Sequence, residues 1–520
     1  MNRNHLLPTM ATTALTLLCL LSLPAAGQHG HDHGDGTIEP EALGTVDLTI
    51  SCDDAMQTAF NEALALLHHM MYQQARNRFQ AMTEAAPDCA MAWWGKATTL
   101  FQPLWPERPD NEALNRGWEA ISQARELTPE RELEQRLIDA TSGFFRDPDT
   151  ASYWERVERW AEGMAAAYEA HPSDLDTAAL YGLSRLAIAG NADNPDPLYD
   201  EAEAVLREVW AAESSHPGAI HYSIHATDVD GRAQNALDMV EAYADIAPEV
   251  PHALHMPSHI YVRLGKWPEV IHWNQQSAEA AAREPVNGAL SLHYIHAVDY
   301  KVYAYLQQGE PEKARQAYET AMDRGNHQPS FAAAFHAAAM PARLTVETRN
   351  WEEAAALEPR SPANQPWDNA HWAEGLTWYA KGLGAIHNGD TAAAREAEKR
   401  LEALRDDARQ QGEGTFATYI DVDRKILSGW LAKAEGNAEE AVQLMQAAAD
   451  LDATVEKHPI TPGALLPPHE ALGDALLALG RHDEALSAYE QSDAIWPGRY
   501  NTLLGAARAA RNNGDDPTPY

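Results

Sequence analysis

Residues 466–497 read LPPHEALGDALLALGRHDEALSAYEQSDAIWP. Apolar residues recur at helix spacing on both sides of Gly480. Pro467 and Pro468 stand where a helix tolerates proline, in the first turn, and Pro497 follows the last periodic residue. The stretch therefore predicts two helices joined by a tight turn. Outward from it, Gly480 and Gly514 are 34 residues apart, and so are Gly231 and Gly265. Fixed-period self-similarity of this length marks a stack of helix hairpins. The rest of the chain is rich in Ala, Leu and Glu with few β-branched runs, which extends the helical reading to nearly everything from residue 53 onward.

The order Leu472-Gly473, Gly480, Ala485, Tyr489, Pro497 resembles the tetratricopeptide repeat. EKARQAYETA (312–321) and DEALSAYEQS (483–492) are similar to its second helix, and CAMAWWGKA (89–97) and LLGAARAA (503–510) to its first. Exported bacterial members with segments like CAMAWWG and HMPSHIY share the resemblance and bring no assigned activity. It implies an all-α fold, a right-handed superhelical solenoid of roughly a dozen hairpins whose first helices line a concave groove. Stacking against neighbours only predicts an elongated molecule with a large inner surface. Pro-rich interruptions at 103–109, 194–197, 359–366 and 459–468 predict loops. The expected organisation is a signal peptide (1–27), a flexible His-rich leader (28–52), and repeats over 53–215, 216–357 and 358–520.

With 39 Lys+Arg against 77 Asp+Glu in 520 residues, the net charge is −38. Nucleic acid is an unfavourable partner for such a surface, and so is an anionic membrane. Ala11–Leu23 is almost uninterrupted apolar sequence behind Arg3, and small residues follow at 25–27, so export to the periplasm or medium is expected. Those 13 residues are too few to span a bilayer comfortably, and no later run approaches the roughly 18 needed. Removal of the leader leaves Cys52 and Cys89, most simply a disulfide in an oxidising compartment. Closing their loop of about 37 residues contributes roughly 3–4 kcal/mol on the chain-entropy argument. QHGHDHGDG (28–36) is a second, looser place for a metal, at His29, His31 and His33.

Nine of the 23 histidines lie between 216 and 296. His221 and His225 are spaced i,i+4, hence neighbours on one helical face. His255 and His259 repeat that spacing 34 residues later, at the same two positions of the next repeat. In the repeats this chain resembles, those positions face the groove, as does the position holding His252, His296 and His336. Packed helices lie about 8–10 Å apart, a gap that facing imidazoles can close around one ion. His221, His225, His255 and His259 thus form the expected site for a transition metal, Cu or Zn before Fe. His252, His296 and Asp299 are supporting ligands or a second site. Pro257 leaves two options for its helix, a kink that re-aims the ligands or a helix start that puts His252 and His255 in the preceding turn.

Two functions remain open on these residues. One is a metal-dependent enzyme or metal-handling protein; the other is a metal-free scaffold docking a peptide or protein in the groove. Neither His pair forms HExxH, because Tyr222 and Met256 stand where the glutamate would be. GxSxG and GxxxxGK[ST] are absent, which removes the usual covalent hydrolase and nucleotide motifs. His68-His69 reads as surface, and Trp93, Trp94, Trp105, Trp118, Trp154 and Trp160 as helix-packing anchors.

Overall fold

A computed structural model describes residues 43–520. The signal peptide and the QHGHDHGDG tract lie outside the described residues. Among those described there is no β-strand; consecutive helices pack antiparallel as hairpins, each hairpin on the next, in a solenoid of tetratricopeptide type. None of these helices is long and apolar enough to cross a membrane. The hairpin read from residues 466–497 runs as Pro468–Ala478 and His482–Ile495, with Gly480 at φ +75° where the chain reverses. Small residues explain the close packing. A Cβ at Gly473 would lie 2.8 Å from the Tyr489 ring, and one at Gly505 2.3 Å from it, so this tyrosine is clasped by two helices.

Residues 43–52 differ from the flexible leader expected of them. Leu43, Leu48 and Ile50 are buried against the first repeats, and the backbone N–H groups of Thr45 and Asp47 bond Ser215 and Asp176. Cys52 and Cys89 are joined as a disulfide, tying this extended segment to the helix Ala90–Thr98.

The inner surface of the repeats is not an open groove. The loop 453–467 lies against it: Lys457 bonds Asp228 at 2.8 Å, the Pro459 carbonyl accepts from Tyr300, and the Gly463 carbonyl accepts from Arg343. Arg499, from the start of the last helix, reaches Tyr303 and Glu347. From the opposite side, Glu107 of the 103–109 loop accepts the N–H of Phe331, and Trp105 of that loop packs on His252 and His293. Distant repeats therefore touch, unlike the neighbour-only stacking expected, and the histidines are enclosed between these two straps.

Candidate metal centre

Three segments carry the histidines. His216 caps the helix Pro217–Thr227, its Nδ1 accepting the Ala219 N–H, and Pro217 fixes the first turn. The next hairpin opens with Pro251–His255, is interrupted at Met256, and continues as Pro257–Arg263. Pro257 has no N–H to give, so the interruption falls where the sequence placed it. His252 and His255 are helical, and Met256 keeps helical dihedrals (φ −53°, ψ −41°), so the second option, a helix starting at Pro257, does not hold. The third segment, Leu292–Gln307, is capped by Ser291 and carries His293, His296 and Asp299.

The structure divides these residues differently from one four-histidine site. His221, His225 and His252 offer nitrogens all within 4.8 Å of one another, and so do His255, His259 and His296. The two triads adjoin, with ring centroids 5.9 Å apart between His225 and His259 and 6.0 Å between His252 and His255. His252 and His296 are thus third members of separate triads. Asp299 is not a member of either; its two oxygens accept from His336 and Arg343, so it is a support behind a histidine.

Hydrogen bonding fixes the tautomers of the second triad. Asn274 donates its Nδ2 to the Val270 carbonyl, so its Oδ1 faces His255 Nδ1 at 2.6 Å and requires an N–H there. Asp228 Oδ2 takes the proton of His259 Nδ1 at 2.9 Å. His336 gives its Nδ1 proton to Asp299, and its Nε2 therefore accepts from His296 Nδ1 at 2.8 Å. Each Nε2 is then an acceptor when the ring is neutral, yet His255 Nε2 and His259 Nε2 stand 3.0 Å apart. Two lone pairs facing at that distance repel unless a cation lies between them. Nitrogens that share one ion at about 2.0–2.1 Å sit about 3.0–3.4 Å from each other.

The first triad repeats the motif with fewer supports. His221 Nδ1 donates to the His68 carbonyl at 2.7 Å, leaving Nε2 as an acceptor with no protein donor. His225 Nε2 and both nitrogens of His252 are likewise buried without a protein partner. Burial, then the neighbouring imidazoles, hold His221, His252, His255 and His296 well below the usual imidazole range. Burial also pushes His225 down to about 3 and His293 down to about 4. Asp228 is ionised: burial opposes its charge, but Lys457 and Arg263 beside it prevail. Neutral imidazoles with committed Nδ1 protons are the form a metal needs.

A third cluster, His68, Asp176 and His216, satisfies the same distance condition and has a different chemistry. Sequence reading placed His68 and His69 at the surface; both are fully buried. His68 and His216 each give an Nε2 proton to Asp176 Oδ1 at 3.1 Å, while their Nδ1 atoms accept from Tyr222 and from Ala219. His69 gives Nε2–H to the Leu43 carbonyl and accepts from Tyr243. Every nitrogen there is paired, so the cluster is a structural network. No signal in the sequence separates this doublet from a surface pair, because Asp176, Tyr222 and Tyr243 come from other repeats. Trp94 and Trp160 are the buried anchors expected, whereas Trp105 roofs the first triad against His252 and His293.

Residues 469–495 match the family profile of the tetratricopeptide repeat. No curated protein matches the chain in sequence. Among solved structures, Cut9 in the APC/C Cut9–Hcn1 hetero-tetramer is similar at 12% identity and TM-score 0.34, over 87% of this chain and 89% of that one. Yeast Tom70 is similar at 10% identity and TM-score 0.31, over 88% of each. Human IFIT1 is similar at 14% identity and TM-score 0.34, over 77% of this chain and 82% of that one. Likeness this distant carries nothing about what the chain binds.

Proposed function

We propose that this tetratricopeptide-repeat protein holds transition-metal ions inside its solenoid, one at His221, His225 and His252 and one at His255, His259 and His296. The carrying observation is the pair of Nε2 lone pairs 3.0 Å apart on His255 and His259, with both Nδ1 protons already committed. An all-imidazole donor set favours Zn²⁺ or Cu²⁺, with Fe²⁺ behind them. Three protein nitrogens leave a coordination position free, where such an ion polarises a ligand or lowers the pKa of water. The protein's part is to keep the rings neutral, fix their tautomers through Asn274, Asp228 and His336, and exclude bulk solvent with the 103–109 and 453–467 loops. Export belongs to the same proposal; the Cys52–Cys89 disulfide and the apolar stretch 11–23 support it.

The test is metal quantification on chain lacking residues 1–36, dialysed without strong chelator. Near-stoichiometric Zn, Cu or Fe is expected, with about one ion fewer per chain in the His255→Ala/His259→Ala variant. The control is His216→Asn, which keeps an acceptor at the helix cap but removes the bond to Asp176 in the hydrogen-bonded cluster, and should leave the metal content untouched. Protein that takes up none of the three metals refutes the proposal. Docking of a protein partner is the second reading, favoured by the repeat family, whose concave surfaces serve that use. Here a peptide entering that surface would have to displace the 453–467 loop.

A further inference from the structure

A cavity of about 180 Å³ lies among the C-terminal repeats, between the helices Gly414–Ala434 and Ala438–Asp452 and the far side of the 453–467 loop. None of the six triad histidines lines it. Phe335, Trp372, Tyr419 and Trp496 give its walls ring surface, and four carboxyls line it, Asp230, Asp423, Asp452 and Glu456. The cations that line it are already paired, Arg263 with Asp228, Asp230 and Glu456, Arg343 with Asp299, and Lys457 with Asp228, which leaves Asp423 and Asp452 without an ion pair among the described residues.

Asp423 is the anomaly. It is 8% exposed, and among the described residues it is the one buried carboxyl that receives no hydrogen bond from the protein. Asp176, Asp228, Asp299, Glu374 and Glu470 are each met by a histidine, arginine or lysine. Burial, then the charge of Asp452, pushes the Asp423 carboxyl well above the usual range. Asp452 is raised to about 7, by burial and then by Asp230 and Glu456. A buried carboxyl without a counter-charge is costly, and the side chains that could have neutralised it point elsewhere. What the site lacks is positive charge, and what its walls offer is apolar surface and ring faces that attract cations.

We propose that this cavity binds a small organic ammonium ion, its charge set against Asp423 and Asp452 and its apolar body against Trp372 and Tyr419. The inference does not depend on the metal centre. The probe is 2-phenylethylammonium, with the neutral isostere 2-phenylethanol as comparison, titrated calorimetrically into the full mature chain. Saturable one-to-one binding of the ammonium is expected, at least about ten-fold tighter than the alcohol. Asp423→Asn should lower the ammonium affinity by about ten-fold or more and leave the alcohol unchanged, because it removes, at constant shape, the carboxyl that ionises against the bound ammonium. Asp423 accepts no hydrogen bond, so the variant should melt as the parent does; if it does not fold, Asp452→Asn makes the same comparison. Equal binding of alcohol and ammonium, an ammonium affinity unmoved by the substitution, or no saturable binding of the ammonium each overturns the proposal.

Discussion

His255 shows how much of the centre depends on a single buried amide. Its Nδ1 proton is demanded by Asn274 Oδ1, because the Asn274 amide nitrogen is held by the Val270 carbonyl. Without that acceptor the proton is free to move to Nε2, and the ring then presents N–H instead of a lone pair to its triad. Partners of this kind typically govern metal affinity by about 10–100-fold. Asn274→Ala is therefore expected to weaken metal binding by about that factor, read by competition with a chromophoric chelator. Asn274→Asp restores an acceptor for Nδ1 and should recover most of the loss. Equal affinity in Asn274→Ala and parent would show that the tautomer is not set there. Nothing in the sequence flagged Asn274, which lies in the second helix of its hairpin, 19 residues from His255. The histidines themselves were legible because i,i+4 spacing recurs at the repeat period; their supports come from elements whose approach only the packing reveals.

The interrupted helix Pro251–Arg263 is the element that sorts the ligands. His252 is assigned to the first triad, and His255 and His259 to the second, although all three lie within eight residues. A continuous helix would place His252 and His259 seven residues apart on one face, with His255 beside them. At Met256 the backbone stays helical while Pro257 removes one donor from the ladder, and His252 and His259 nonetheless serve different triads. Pro341, aligned with it, sits inside the unbroken helix Phe331–Glu347, so proline permits the break and the surrounding packing decides it. Pro257→Ala should let the helix run through, with melting temperature equal or higher and metal affinity lower by about ten-fold or more. Chelator competition and thermal melting on the same preparation check both directions. Unchanged affinity would mean that the break does not aim the ligands. The sequence located this proline and left two outcomes for it. It paired the histidines by repeat position and left a second site open, because periodicity carries no record of which rings the packing brings together.

At the scale of the whole described chain, the unusual quantity is the number of imidazoles kept neutral in the interior of a protein whose net charge is −38. Among the described residues fourteen histidines have pKa values lowered from 6.5 by burial, among them His225 and His458 at about 3 and His293 and His387 at about 4. A group whose folded pKa lies below its unfolded value releases its proton on folding. Its stability is fully present above about 6.5 and is lost as pH falls through the folded value. Asp176, Asp228 and Asp299 are depressed as well, but their unfolded value is 3.8, so their share is lost only in stronger acid. Metal-free protein should thus destabilise steeply between about pH 6.5 and 4, before the carboxylates contribute. Metal adds stability only to the folded form, and what governs it is the protonation of the ligands there, which burial keeps neutral well below pH 6.5. At about pH 7.5 a saturating Zn²⁺ concentration should raise the melting temperature by several degrees, and the increment should persist to about pH 4.5, falling only as the pH nears the folded values of the ligands, about 3 for His225. Calorimetry at five or so pH values with and without the ion reads both curves. An increment already lost by about pH 5.5 would place the ion on exposed imidazoles, which are protonated by then, and would separate weak surface binding from occupancy of the two triads.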